Sequence, residues 1–238
     1  MTARAATGLA APAVVAALVL GAVTAPGLAG QGTAVAPAQE LVKLMTAHEV
    51  FSTPSGRAGS LIRASRPVTG EQTVLPVLAR TTRTGVRWLR VLLPGRPNGS
   101  AGWIRQQGTV PASTSWQLVI STSERRVLVY RGGRLLRSFA AVVGKPSTPT
   151  PSGRFFVEES VRMPHGSPGA PFALALSARS NVLQEYEGGP GQIALHGVAN
   201  LGGTPGTAVS HGCIRLADPD IRWLAARIEP GVPVNIRT

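Results

Sequence analysis

From residue 42 onward, the chain alternates short apolar stretches with glycine- and proline-containing turns. In residues 42–110 the apolar stretches are HEVFST, GSLIRAS, TVLPVLART and RWLRVLLPG, separated by turn signals at 54–56 and 95–99. Several short strands with tight loops in so short a segment predict a small barrel or SH3-like β sheet. Within the first stretch, His48 and Glu49 are predicted to form a pair on the surface.

The same alternation continues through residues 115–238 and predicts a larger β-rich domain. WQLVIS and RVLVY flank a charged Ser-Glu-Arg-Arg turn, and a Gly-Gly turn precedes the next apolar stretch, so a β-meander is expected. The segment GKPSTPTPSGRF predicts a rigid extended loop that leads into a strand at 154–157. A further short strand is predicted at 192–195 and ends at His196.

Helical periodicity is confined to a segment near the C-terminus. Asp218 is predicted as the N-cap, with Pro219 in the first turn and a proline-glycine stop at 230–231. An apolar face is expected at Ile221, Leu224, Ala225 and Ile228, and VPVNI is expected to form a last strand. The predicted fold class is therefore mainly β, with one or two short helices.

The N-terminus differs in composition from the rest of the chain. Arg4 precedes the apolar run GLAAPAVVAALVLGAV, and small residues follow, so residues 1–30 are interpreted as a signal peptide for export. An uncleaved membrane anchor is the alternative, because the run approaches the length needed to span a bilayer. Residues 31–41 are rich in alanine, glycine, proline and glutamine and are interpreted as a linker.

The net charge of the chain and its distribution limit the kinds of molecule that the protein is expected to bind. The formal net charge is +13, and arginines scattered singly along the chain carry most of it. A nucleic-acid-binding protein usually has a clustered basic stripe and aromatic stacking positions, whereas aromatic residues make up only 5% here. We therefore expect no nucleic-acid partner and infer anionic surroundings, such as an acidic wall polymer.

Cys213, the only cysteine in the sequence, lies in the stretch AVSHGCIRLADPD. An exported protein usually pairs its cysteines or lacks them, because an idle thiol is prone to oxidation. A thiol used in catalysis needs a base that accepts its proton, and His165, His196 and His211 are the candidates. His196 is favoured because a glycine-rich loop can bring its strand end beside Cys213.

Gly212 separates His211 from Cys213, and two alternatives accompany the catalytic interpretation. The amides of Gly212 and Cys213 are predicted to face a developing oxyanion. Alternatively, His196, His211 and Cys213 could supply three ligands to zinc, although no fourth ligand is evident. Cys213 could also be a buried apolar residue. We expect neither a metal nor a cofactor.

The chain resembles the L,D-transpeptidase (YkuD-like) catalytic domain in four features taken together. They are HG followed by SHGCIRL, the strands WQLVISTSERRVLVYRGGR, the loop VGKPSTPTPSGRF and the stretch IALHG. The resemblance covers about residues 116–237. It implies a YkuD-like β-rich fold and no cofactor. The preceding β unit resembles, in pattern only, the bacterial SH3-like modules of exported cell-wall proteins.

The resemblance implies cysteine acyl transfer on peptidoglycan stem peptides, both donor and acceptor, in the cell wall or a periplasm-like space. Cys213 would attack a tetrapeptide stem, release D-alanine and pass the thioester to a second stem. His196 would take the thiol proton, oriented by the Gly197 carbonyl, while His211 and Gly212 frame the oxyanion site with Cys213. Carbapenem-type β-lactams are expected to acylate Cys213.

Four further residues are predicted to contact substrate. Ser210 would bond the backbone of the motif or an imidazole, or be a simple turn residue. Arg215 would bind a substrate carboxylate, or brace its loop against Asp218 or Asp220. The segment MPHGSPGAPFALALSARSNVLQEYEGGPG is expected to lie over the site as a substrate-facing region. Within it, Phe172 and Tyr186 are predicted walls and His165 is a rim residue.

Three functions remain open at this point. The favoured one is an L,D-transpeptidase that cross-links wall peptides. An L,D-carboxypeptidase would use the same residues with water as the acceptor. A non-catalytic wall-binding protein would rely on the β unit of residues 42–110 for binding.

Overall fold

The computed structural model describes residues 1–2, 35–186 and 188–238. Most of the predicted signal or anchor, and residues 31–34 of the predicted linker, therefore lie outside the described residues. In the described part of the chain, no helix is both long and apolar enough to cross a membrane. Ala34–Thr238 forms one unit that contains two large β sheets.

The first sheet has seven strands, all paired antiparallel. Their bounds are β1 Gln39–Leu44, β2 His48–Phe51, β3 Ala58–Ile62, β4 Val74–Arg83, β5 Val86–Leu92, β6 Ala101–Arg105 and β7 Thr109–Thr114. Their order across the sheet is β3-β2-β6-β5-β4-β1-β7. The sheet therefore extends over 39–114: β1 begins within the predicted linker, and β7 runs past the predicted end of the β unit at residue 110.

The second sheet has eight strands and carries the motif residues. The strands from here to the C-terminus are β8 Trp116–Ser121, β9 Arg126–Arg131, β10 Arg134–Ala140, β11 Val143–Gly144, β12 Gly153–Arg162, β13 Phe172–Arg179, β14 Gln192–Gly197, β15 Ala208–Ser210, β16 Ile214–Leu216 and β17 Pro233–Arg237. The eight-stranded order is β10-β9-β8-β17-β12-β13-β14-β16, and β11 pairs separately with β15. The mainly β fold class is confirmed.

The described residues contain one helix, α1 Asp218–Ala225. Its N-cap is Ala217 rather than Asp218, and no side chain caps it, so Asp218 is the first helical residue and adds negative charge to the first turn. Ile221 and Leu224 are buried in the core against β13 and β14. Ile228 is also buried, although the helix ends before it.

Strand β13 corrects the prediction that residues 163–191 lie over the site as one substrate-facing region. Leu174, Leu176 and Ala178 alternate along β13 and are buried in the core between β12 and β14. The sequence of β13 has this period-two pattern, but the glycines and prolines on both sides of it favoured a loop. The residues on either side of β13 form the surface loops.

The two sheets meet through buried contacts on β12. Phe156 belongs to the second sheet, yet its side chain completes the core of the first. Two positions further along β12, the buried carboxylate of Glu158 forms ion pairs with Arg66, in the loop between β3 and β4, and with Arg179 of β13, the latter at 3.0 Å. The prediction for His48 was wrong: the residue is buried, and its Nε2 lies 3.2 Å from the Gly108 carbonyl oxygen.

Candidate active site

Two parallel strands bring the motif residues together. Strands β14 and β16 pair with His196 opposite Arg215 and Leu195 opposite Ile214. Because strand side chains alternate between faces, Leu195 and Ile214 point into the core, and His196 and Arg215 occupy the other face. Cys213 stands two positions before Arg215, so the same alternation places it on the face of His196. The glycine-rich loop 198–207 makes this return possible.

The His196 ring is fixed by its neighbours. Its Nδ1 lies 2.8 Å from the carbonyl oxygen of Gly197, and a carbonyl can only accept, so Nδ1 carries the proton and Nε2 presents a lone pair. Gly169 also lies close to the ring: a Cβ at this position would approach Nδ1 of His196 to 2.7 Å. Burial lowers the pKa of His196, the hydrogen bond to Gly197 opposes this, and the charge of Arg215 lowers the pKa further. His196 is therefore a neutral base near neutral pH.

Cys213 is half-buried and immediately precedes β16. Its Sγ lies 3.9 Å from the carbonyl oxygen of Gln192, at the beginning of β14. The thiol is thus held between the first residue of the histidine strand and the turn that precedes it. Partial burial restricts the thiol without closing it off from a substrate.

The turn before Cys213 requires glycine. Gly212 has φ 121°, a conformation that side-chain-bearing residues rarely adopt, and an added Cβ would lie 3.0 Å from Ile193 Cδ1. Its amide N–H donates to Ser210 Oγ at 3.1 Å. That bond conflicts with the prediction that the Gly212 amide faces an oxyanion. Gly212 instead shapes the turn that sets the direction of the Cys213 backbone.

Ser210 ties the turn to itself. The side chain is fully buried, and its hydroxyl donates to the Cys213 carbonyl oxygen at 2.6 Å while accepting from Gly212. Of the predicted alternatives, the structure therefore shows the bond to the motif backbone. Both hydroxyl contacts are internal, so Ser210 serves as a brace for the turn.

The Pro-rich loop supplies two threonines that sequence reasoning missed. Thr148 Oγ1 donates to the Ser210 carbonyl oxygen at 3.1 Å, and Thr150 Oγ1 donates to the Gly212 carbonyl oxygen at 2.8 Å. Both are buried, and Thr150 also accepts from the amide of Gly144 at 2.9 Å. Their partners are backbone carbonyls 62 positions away along the chain, so no local pattern in the sequence marks these threonines.

Arg215 braces a loop, but not against the predicted acids. Its guanidinium donates through Nη1 to the carbonyl oxygen of Gly202 in the glycine-rich loop, and the side chain is buried. Within the part of the chain that the structure describes, Arg215 forms no ion pair with Asp218 or Asp220. Arg215 therefore holds the returning loop beside His196 and keeps a positive charge close to the imidazole.

His211 is exposed and stands against Tyr186. The two ring centroids are 5.6 Å apart and the planes are inclined by 32°. Tyr186 is itself exposed, at the tip of the segment 180–191 that connects β13 to β14. The structure thus brings one of the two predicted aromatic walls to the motif.

Phe172, the other predicted wall, borders a different space. With His165, Asp218 and Arg222 it lines a cavity of about 590 Å³ beside the start of α1. Neither His196 nor Cys213 lines this cavity. His165 is exposed there, as expected for a rim residue.

The zinc alternative finds no support in the geometry. Within residues 35–186 and 188–238, no group of three histidine, cysteine, aspartate or glutamate side chains is placed to hold a metal ion. The arrangement that is present can instead do acyl transfer: a thiol on a shaped turn, an oriented neutral imidazole on the adjacent strand, and a fixed cation behind it.

Known proteins match this part of the chain. The family profile YkuD, the L,D-transpeptidase catalytic domain, matches residues 115–236. The YkuD protein of Bacillus licheniformis, named as an L,D-transpeptidase, is 31% identical over 146 residues, covering 61% of this chain and 73% of its own. Its Bacillus subtilis counterpart is 30% identical over 151 residues, covering 61% and 84%.

Among solved structures, LD transpeptidase LdtMt1 in complex with imipenem aligns over 70% of this chain and 91% of its own. Sequence identity is 21% and the TM-score is 0.45. The assignment rests on the family profile, which spans the strands, the Pro-rich loop and the motif described above, and on the two Bacillus relatives. This chain belongs to the L,D-transpeptidase family with a YkuD catalytic domain.

Proposed function

We propose that this protein is an exported L,D-transpeptidase that cross-links peptidoglycan stems through a thioester on Cys213. The observation that carries the proposal is the oriented, neutral His196 on the strand adjacent to the thiol. The substrates are a tetrapeptide stem as donor and the side-chain amine of a second stem as acceptor.

In the first step, Nε2 of His196 takes the proton of the Cys213 thiol, and Sγ attacks the carbonyl before the terminal D-alanine. The S–C bond forms and the C–N bond to D-alanine breaks, with the proton on His196 passing to the departing amine. The developing oxyanion would be met by the backbone amide of Cys213, since the Gly212 amide already donates to Ser210. Ser210, Thr148 and Thr150 hold the turn that carries this amide.

In the second step, the amine of the acceptor stem attacks the thioester. His196 accepts the proton of the amine, the S–C bond breaks, and the proton returns to Sγ. Gly197 contributes through its carbonyl, which keeps the Nδ1 proton in place during both transfers. Tyr186 and His211 border the approach as a wall for the stem, and Arg215 maintains the loop and the positive field beside the imidazole.

Water could take the place of the amine, which would make the protein an L,D-carboxypeptidase. The family model that matches the chain is that of an L,D-transpeptidase catalytic domain, so cross-linking is the proposal. We further propose that carbapenem-type β-lactams acylate Cys213, because their strained ring presents an acyl group to the thiol. The positive net charge supports residence against an anionic wall.

The test is incubation of the purified protein with tetrapeptide-stem muropeptides, followed by mass analysis of the products. Cross-linked dimers that lack one D-alanine are expected from the wild type, and none from Cys213→Ala. Tripeptide stems without dimers would replace the proposal by the carboxypeptidase. Dimers formed equally well by Cys213→Ala would overturn the thioester mechanism.

A further inference from the structure

The loop between β5 and β6 of the first sheet reaches the second sheet. There it binds both ends of segment 180–191, which connects β13 to β14. Arg96 Nη1 donates to the Pro190 carbonyl oxygen at 2.9 Å. Arg96 Nη2 donates to the carbonyl oxygens of Ser180 and Leu183 at 2.8 and 3.1 Å. One planar guanidinium thus satisfies three carbonyls from both ends of the segment 180–191.

Asn98, in the same loop, binds the backbone just before that segment. Its side-chain amide donates to the Arg179 carbonyl oxygen at 2.7 Å, and its side-chain oxygen accepts from the Arg179 amide at 2.8 Å. Asn98 also donates to Asn181 Oδ1 at 3.0 Å, and the Gly95 amide donates to the Ser177 carbonyl oxygen at 3.1 Å. The loop therefore pairs with the end of β13 much as an additional strand would.

A second loop of the first sheet, between β3 and β4, anchors that sheet to the second one. The buried carboxylate of Glu158 pairs with Arg66 on one side and Arg179 on the other. The neighbouring Glu159 accepts from the amide and hydroxyl of Thr69, both at 3.0 Å. Contacts this numerous fix the first sheet as a rigid support for the segment rather than as an appendage on a flexible tether.

The segment in turn delivers two contacts to the motif. Tyr186 at its tip lies against the ring of His211, with centroids 5.6 Å apart. The first and last residues of the segment are joined, because the Ser180 N–H donates to the Gly191 carbonyl oxygen at 2.8 Å. The next residue, Gln192, offers the carbonyl that faces Cys213 Sγ.

We propose that Arg96 and Asn98 are positioning residues for acyl transfer: the first sheet holds segment 180–191, and that segment forms one wall of the Cys213 site. The proposal rests on the proposed function for its substrate, a peptidoglycan stem. It assigns the N-terminal sheet a role inside the enzyme, which differs from an independent wall-binding module. Neither residue touches the reacting atoms.

The experiment compares Arg96→Ala and Asn98→Ala with Arg80→Ala, in the full chain. Arg80 is a matched control, because it also lies on the first sheet but pairs with Glu40 at the exposed surface. Three quantities are measured: KM and kcat for a tetrapeptide stem, the rate of Cys213 alkylation by iodoacetamide, and deuterium exchange of the amides in 180–191.

For Arg96→Ala we expect KM for the stem to rise about tenfold or more, since misplacing a substrate wall weakens binding even when the reacting groups are intact. Alkylation of Cys213 by the small reagent should stay at the wild-type rate, and exchange in 180–191 should accelerate. Asn98→Ala should move the same quantities less, and Arg96→Lys should restore part of the KM. Arg80→Ala should match the wild type.

Unchanged KM together with wild-type exchange in 180–191 would overturn the proposal. So would parallel losses of alkylation and turnover, since they would indicate a general disturbance of the fold. If Arg96→Ala does not fold, Asn98→Ala and Arg96→Lys decide by the same criteria. A wild type without activity on stems would refute the proposed function alone, because exchange in 180–191 still tests whether Arg96 holds the segment.

Discussion

His196 is oriented by the carbonyl of Gly197, the residue that follows it in the same strand, at 2.8 Å from Nδ1. The third member of the proposed catalytic group is therefore backbone, and no side-chain substitution can remove it. Because the acceptor carries no formal charge, it holds the ring without stabilising an imidazolium as strongly as a carboxylate would. Together with burial, this leaves His196 neutral and ready to accept a proton.

The first prediction concerns pH. Burial lowers the pKa of His196, so the base becomes neutral at a lower pH than an ordinary imidazole. We expect kcat/KM to rise with pH along an acid limb that lies below the ordinary value of about 6.5. His165→Gln is the control and should leave the limb unchanged. An acid limb above 6.5 in the wild type would contradict the prediction.

The lowered pKa has a matching effect on stability. The unfolded chain binds a proton at His196 at a higher pH than the folded chain does, so protonation favours unfolding. The contribution is fully present above about 6.5 and is lost as pH falls through the folded pKa. The free energy of unfolding should therefore decline over this window less steeply in His196→Gln than in the wild type.

The second prediction concerns β-lactams. Imipenem should add its mass covalently to the wild-type protein, because the strained ring presents an acyl group to the Cys213 thiolate. Intact-mass measurement should show one adduct on the wild type and none on Cys213→Ala. An adduct retained by Cys213→Ala would place the reaction on another residue.

The third prediction concerns the turn. Gly212→Ala should lower the free energy of unfolding by about 1–3 kcal/mol, since φ 121° disfavours any Cβ and the new methyl would press on Ile193. Turnover should fall further than stability, because the turn sets the direction of Cys213. Gly202→Ala serves as the control: a Cβ there meets nothing within 4 Å. Thermal unfolding and stem turnover of the two variants decide the matter, and equal behaviour would refute the role of Gly212.

The fourth prediction concerns the Pro-rich loop. Thr150→Val keeps the shape of the side chain but leaves the Gly212 carbonyl and the Gly144 amide without their partner. We expect a loss of about 1–3 kcal/mol in the free energy of unfolding and a lower kcat. Thr207→Val, which removes only an exposed bond to Thr204, should change neither quantity appreciably. Denaturant unfolding and single-turnover rates provide the comparison.

The fifth prediction separates a buried ion pair from an exposed one. Glu158→Gln should cost about 3–5 kcal/mol of unfolding free energy, because it removes the buried carboxylate that pairs with both Arg66 and Arg179. Glu40→Gln, which breaks the exposed pair with Arg80, should cost at most about 1 kcal/mol. Similar costs for the two variants would mean that the junction of the sheets contributes little.

Much of the fold was accessible from residue pattern. Alternation predicted most strands of both sheets, helical periodicity predicted α1, and glycines and prolines located most turns. Strand β13 was missed because glycines and prolines surround it, and its pairing between β12 and β14 is a long-range property. The buried state of His48 was missed for a similar reason, since the Gly108 carbonyl that it contacts lies far along the chain.

The site residues likewise fall into those that the sequence indicated and those that it did not. The sequence singled out Cys213, His196 and the need for glycine at 212, because residue type and local conformation are properties of short stretches. It did not indicate Thr148, Thr150 or Arg96, because each acts by donating to a carbonyl that any residue could supply.

The sequence by itself determined the chemistry of this protein: one thiol, a small set of imidazoles and a family motif within a β-rich chain. Tertiary structure alone decided which groups meet. Parallel pairing of β14 with β16 sets His196 beside the motif, and the Pro-rich loop shapes the turn. The first sheet holds the segment that carries Tyr186. The reason is physical: backbone hydrogen bonds and buried charges between distant segments depend on where the chain returns, which no local pattern encodes.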